Sequence, residues 1–192
     1  MAVRCLFVSL AGLLLTASCC SLRRGDLLFH VVTADTPITL VTPAGIDHVA
    51  IYAGHDSVVE ALPRVGVVTT PLHSLVSRDG GSYLRGRVRH AHRRRSVSCA
   101  LSYVGQPYDS LYLPGADAIY CSELVLLSFV DHHSTPLLTT VPMTFRDSTG
   151  AIPQYWTDLY ARHGMAVPEG APGSNPGELS QRKEITVMGR LK

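Results

Sequence analysis

Hydrophobic and polar positions alternate in short bursts along most of this chain, and the bursts predict strands. Leu27 to Val32, Asp47 to Tyr52, Ser57 to Leu62 and Val65 to Thr69 carry the β-branched and aromatic residues that suit a pleated, half-buried surface. Gly54-His55-Asp56 between two of them predicts a hairpin. Tyr83 to Arg89, with Val and Arg alternating, predicts a solvent-facing strand, and Glu184 to Met188 a last one. Helical spacing appears in fewer places. Leu72 to Ser77 reads as a short helical turn and Ser96 to Val104 as an amphipathic helix closed by Gly105. Cys121 to Asp131 is apolar almost throughout, as a central buried helix would be. Pro153 to His163 carries Tyr155, Trp156, Leu159 and Tyr160 at helical spacing, so these aromatics are expected in a core. The Pro- and Tyr-rich segment 106–117 and the Pro/Gly/Ser-rich segment from Pro168 to Pro176 are expected as surface loops. There is no internal repeat, and the sum is an α+β domain of strands with helices packed on them.

The amino terminus stands apart. One positive charge lies within Met1 to Arg4, Cys5 to Leu15 is apolar, and Thr16, Ala17 and Ser18 precede Cys19. That order predicts a signal peptide over residues 1–18. The small residues before Cys19 resemble the lipobox of bacterial lipoproteins, with Thr16 where leucine is preferred and Cys20 as a second acceptor. The expected organisation is a leader 1–18, a lipidated Cys19 opening a short tether 19–24, and one domain over 25–192. The expected location is the bacterial cell envelope, held to a membrane by lipid and facing the periplasm or exterior. At 192 residues, 46% hydrophobic and net charge +2, the chain can bury one core, and its overall charge selects no partner. Nucleic acid is not an expected partner of an exported chain.

Cys121 opens its apolar run at what would be a helix N-terminus. Unsatisfied backbone N–H groups and the helix dipole favour a thiolate there. An imidazole on a neighbouring strand would complete a nucleophile–base pair, and His48 stands in such a strand. A third group must hold the imidazole. Glu60, twelve residues on and in the partner strand of the hairpin, can do so if register places it on the His48 face, and Asp109 is its rival. Asp47, next to His48, is expected on the opposite face. The Cys121 backbone N–H would serve the oxyanion, with a hydroxyl from Tyr108 or Tyr120, and Asp109 is a further candidate at the substrate. Glu123 reads as first-turn helix stabilisation.

Six strings then occur in order: Gly25-Asp26-Leu27-Leu28-Phe29, His48-Val49-Ala50-Ile51-Tyr52, Val59-Glu60-Ala61 with Gly66-Val67, Gly105-Gln106-Pro107-Tyr108-Asp109, Tyr120-Cys121-Ser122-Glu123-Leu124-Val125, and Pro172-Gly173-Ser174-Asn175-Pro176-Gly177. Together they resemble the permuted papain-like cysteine amidases of the YaeF/YiiX group, relatives of the NlpC-type cell-wall peptidases. The resemblance implies a circularly permuted papain-like fold, with a mainly antiparallel sheet against the helix that carries the nucleophile. Permutation accounts for His48 preceding Cys121. It further implies Cys121 as nucleophile, His48 as base and Glu60 as third polar residue, with no cofactor. The implied substrate contains an amide or peptide bond, wall peptides being a natural candidate. The alternatives are an acyltransferase or thioesterase using the same triad, and a non-catalytic module that binds wall peptides.

The remaining features are read more plainly. Beyond the leader and its processing site only Cys99 and Cys121 remain, and both are expected as free thiols, Cys99 buried on its helix. His90-x-His92 and His132-His133 lack further ligands at a recognisable spacing, so no metal site is expected. The basic run from Arg85 to Arg95 is read as a solvated strand face entering a helix, with contact to anionic lipid or glycan as its functional alternative.

Overall fold

The fold was analysed in a computed structural model, which describes residues 22–78, 82–115 and 117–191. The leader and Cys19 lie outside them. Six strands form one antiparallel sheet: β1 (Asp26–Val31), β2 (Ile46–Gly54), β3 (Ser57–Leu62), β4 (Gly66–Pro71), β5 (Tyr83–Val88) and β8 (Ile185–Arg190). Their order across the sheet is β4-β3-β2-β1-β5-β8. A small second ribbon pairs β6 (Val141–Pro142) with β7 (Pro172–Gly173). The helices are α1 (Leu72–Arg78), α2 (Arg93–Ser102), α3 (Cys121–Ser128), α4 (Gln154–Ala161) and α5 (Pro176–Gln181). No helix among the described residues is long and apolar enough to cross a membrane.

Alternation along the strands divides the apolar residues between the two faces of the sheet. Leu27, Phe29, Val49, Ile51, Val59 and Ala61 join Leu124, Val125 and Phe129 of α3 in the main core. Leu28, Ala50, Tyr52 and Val58 pack instead with Leu75 of α1 and Tyr83. A third cluster gathers Val41, Met143, Phe145, Trp156 and Tyr160. The expected aromatic core at α4 therefore holds for Trp156 and Tyr160, whereas Tyr155 is exposed. The β2–β3 connection is the expected hairpin, with His55 and Asp56 both at φ 51°. Two successive left-handed residues make the type I′ turn whose twist matches the strands.

Two expectations are corrected. Strand β5 is not solvent-facing: it lies between β1 and β8, and Arg85 is buried. Arg87 is accommodated because its guanidinium holds the wholly buried Asp26 through two hydrogen bonds, 2.7 and 2.8 Å. A paired arginine can enter a sheet interior that an isolated one cannot. The Pro/Gly/Ser segment does not simply wrap the surface either. Gly173, Ser174, Pro176 and Gly177 are buried, and β7 and α5 arise within and just after it. Asn175 caps α5 by accepting the Glu178 N–H at 2.7 Å, with Pro176 at the first helical position where its missing N–H is harmless. Cys99 and Cys121 are both free thiols, but Cys99, expected buried, is only half-buried on α2.

Candidate active site

Strand pairing decides the register that sequence left open. Ile51 faces Val59 and Tyr52 faces Val58 across the β2–β3 ladder. Continued by one pair, that register sets Glu60 opposite Ala50, so His48 and Glu60 are diagonal neighbours on one face. Their side chains meet: His48 Nε2 lies 2.7 Å from Glu60 Oε2. The β1–β2 ladder shifts just before His48, where His30 pairs with His48 and Val31 with Ile46, leaving Asp47 as the extra residue. A bulge of this kind re-aims side chains beside a site. It also overrides the simple alternation that placed Asp47 away from its neighbour. The Asp47 carboxylate is 2.7 Å from Nδ1 of His30, the ring opposite His48.

Glu60 has no exposed side-chain surface and is held from two sides. Arg78, the last residue of α1, donates Nη1 to Oε1 at 3.0 Å and Nη2 to Oε2 at 2.9 Å. Burial alone would raise the Glu60 carboxyl, but the His48 and Arg78 hydrogen bonds outweigh it and lower its pKa to about 2. The His48 ring also interacts with Cys121, whose sulfur lies close enough to act on the imidazole. With Nε2 committed to Glu60, Nδ1 is the ring nitrogen left for sulfur. Burial alone would lower the imidazole pKa, yet the interactions with Cys121 and Glu60 raise it to about 10. The site thus favours an imidazolium held against the Glu60 carboxylate with the Cys121 sulfur beside it, an arrangement suited to a nucleophile–base pair.

Cys121 is the first residue of α3, with Tyr120 in extended conformation as its N-cap. Its backbone N–H belongs to the first turn, which has no intrahelical acceptor and points along the positive end of the dipole. Glu123 stands three residues after the cap, the position of a capping-box acid, where the Tyr120 backbone N–H acts to lower its pKa. Burial outweighs that effect and raises the Glu123 carboxyl to about 7. The helix start is braced further by Ser122, whose Oγ donates to the Ser174 carbonyl at 3.2 Å.

The other candidate residues occupy different places. The Tyr120 hydroxyl accepts the Ser174 N–H at 3.1 Å and donates to Met143 Sδ at 3.9 Å, so it anchors the Ser174 segment. Asp109 is not beside His48: its carboxylate accepts the backbone N–H of Leu111 and Leu113, at 2.8 and 2.6 Å, and shapes the loop. Tyr108 shares a hydroxyl contact of 3.3 Å with Tyr112. Burial and then the negative charge of Cys121 push the Tyr108 phenol well above its ordinary range, and burial raises Tyr112 likewise. Both therefore stay protonated donors near the sulfur.

Sequence reading missed Tyr112 and Arg78. Tyr112 has φ 53°, a strained left-handed conformation for a bulky residue, and such strain gathers at functional sites. Its ring packs edge-on to Tyr120 and Trp156, with centroids 5.2 and 5.6 Å apart. With Cys121, Ile38, Met143, Phe145 and Trp156 it lines an apolar pocket at the start of α3.

Comparisons with known proteins agree with this architecture. A search of curated proteins finds no match. Among solved structures, the crystal structure of metalloprotein yiiX from Escherichia coli O157:H7 superposes with a TM-score of 0.69 at 18% identity, covering 88% of this chain and 97% of that one. At that identity the likeness shows the fold. The metal is that protein's, and among the described residues here no three His, Cys, Asp or Glu side chains gather as a metal-holding group. The family model described as permuted papain-like amidase enzyme, YaeF/YiiX, C92 family, matches residues 21–187. The chain belongs to that family of permuted papain-like amidases, and its likeness in class is to a hydrolase.

Proposed function

We propose that this protein is an exported cysteine amidase that cleaves an amide or peptide bond through a thioester on Cys121. The observation that carries the reading is the bonded chain His48–Glu60–Arg78 set against Cys121, whose sulfur acts on the His48 ring. The Cys121 thiolate attacks the carbonyl carbon, and the developing oxyanion is met by the first-turn N–H of α3 and by the phenol of Tyr108 or Tyr112. The His48 imidazolium gives its proton to the departing amine. Glu60 keeps the ring oriented and its positive charge stable, while Arg78 keeps Glu60 ionised. Water then enters, His48 takes its proton, and hydrolysis of the thioester frees the acid and regenerates the thiolate. No step requires a cofactor.

The pocket beside Cys121 is lined mainly by apolar and aromatic side chains, so the substrate places an apolar group there. Short peptides of the bacterial wall, with small aliphatic residues, are the substrate class we favour, reached by a domain that a lipidated Cys19 tethers to a membrane. The same apolar pocket supports a second reading, acyl transfer from a lipid or acyl-amide donor. The test is incubation of the full chain with wall-derived peptides and with acylated lipids, followed by mass spectrometry. Peptide fragments with one water added support the amidase. An acyl group carried to a second nucleophile supports the transferase, and binding without turnover would reduce the protein to a wall-peptide-binding module.

A further inference from the structure

Strand β2 and helix α3 both begin at the active site and run away from it. His48 stands near the start of β2 and Gly54 at its end, about 20 Å away for a six-residue strand step. Cys121 opens α3, and the chain leaving that helix brings the Val130 carbonyl to the His92 N–H, 2.9 Å away, ahead of α2. The far end of the sheet therefore collects Arg23 and Arg24 from the start of the domain, His55 from the hairpin, and His92, Arg93 and Arg94 from the start of α2. These residues line one open groove of about 780 Å³, and no carboxylate lines it. All four arginines are exposed. Asp26, which accepts the Arg23 backbone N–H at 2.9 Å, is paired with Arg87.

We infer that this groove docks the protein on an anionic bilayer by binding lipid phosphate headgroups. Two independent features select that occupant. Four exposed arginines in a groove that no carboxylate lines form a fork-rich cation patch suited to phosphate oxygens. Arg23 also follows Cys19 by only four residues, a reach of at most about 14 Å, so the groove lies within a short tether of the proposed lipid anchor. Headgroup binding there orients the molecule. The sheet stands on its basic end, and the cleft with Cys121 opens away from the bilayer, toward substrates in the aqueous space. This orientation favours a wall peptide over a lipid acyl chain, although docking itself does not depend on the catalytic reading.

The experiment is partition of the full chain between buffer and phosphatidylcholine vesicles, with and without phosphatidylglycerol, at low and high salt. The leader contributes to both lipid compositions, so the groove is read from the phosphatidylglycerol-dependent increment. The wild type gains about tenfold or more in partition, and loses it at high salt. The double variant R93Q/R94Q loses most of that gain, while R162Q/K183Q, an equal change of charge on exposed residues elsewhere, keeps it. Unchanged melting temperatures establish that both variants fold. No increment in the wild type, or equal loss in both variants, overturns the docking groove. Peptide-resolved alkylation of Cys121 proceeds at the same rate on phosphatidylglycerol vesicles as in buffer; a marked slowing there overturns the orientation.

Discussion

In the proposed mechanism the chemistry turns on His48, because its ring stands between Cys121 and Glu60. Replacing Glu60 by Gln keeps a hydrogen-bonding group at Nε2 but removes the anion. We expect kcat/KM to fall about 10- to 100-fold, and the alkaline limb of the pH–rate profile to move down from about 10. An unchanged alkaline limb would show that Glu60 does not set the His48 charge. The sulfur is less replaceable: Cys121→Ala removes the covalent route, and turnover measured against a wall-peptide digest should drop at least about a thousandfold. Cys121 and His48 were legible because each sits at the start of a patterned element. Glu60 was legible only as one of two acids, since a strand register cannot be read to one residue. The His55–Asp56 turn and the ladder settle it. Arg78 carried no signal, being eighteen residues from its partner and joined to it only by the fold.

At the scale of elements, the buried segment after β7 is the feature that patterning misjudged. A run rich in Pro, Gly and Ser reads as surface, yet here small residues allow backbone to approach backbone. A Cβ on Gly177 would lie 2.2 Å from the Pro43 carbonyl oxygen, where no flexible side chain can yield. Gly177→Ala should destabilise the fold by about 1–3 kcal/mol, seen as a lower denaturant midpoint with the slope unchanged. A midpoint equal to wild type would show that the segment shifts freely. Helix α1 has a comparable role on the other side of the site, since its last residue neutralises Glu60. Arg78→Met leaves a buried carboxylate with one fewer partner, and thermal melts should report a loss of about 1–3 kcal/mol, reduced in acid where Glu60 is protonated. Strand β5 was misread for a related reason: its arginines matched a solvated strand until Asp26 and the pairing with β8 were in place.

For the whole molecule, the charged triad ties stability to pH in both directions. His48 is raised from 6.5 to about 10, so its contribution is complete below pH 6.5 and disappears as pH climbs through 10. Glu60 is lowered from 4.5 to about 2, so its contribution is complete above pH 4.5 and disappears as pH drops through 2. Melting temperature should therefore decline between pH 6.5 and 10 in the wild type more than in His48→Asn, which lacks the titrating ring. Parallel curves for the two proteins would mean that His48 is not held as an imidazolium. The general architecture was accessible from sequence, because alternation and apolar runs report which elements bury a face. Which side chains converge between distant elements was not, apart from the pair that chemistry required.

The central claim is that Cys121 is a thiolate sustained by His48, and Cys99 is a built-in control. Cys121 is 5% exposed whereas Cys99 is half-buried on α2, so accessibility alone favours Cys99. The decisive measurement is the iodoacetamide labelling rate of each cysteine at mildly acidic pH, resolved by peptide mass spectrometry, in the wild type and in His48→Ala. The account predicts Cys121 labelled at least about tenfold faster than Cys99, with that advantage lost in the variant. Equal or slower labelling of Cys121, or an advantage that survives without His48, would contradict it.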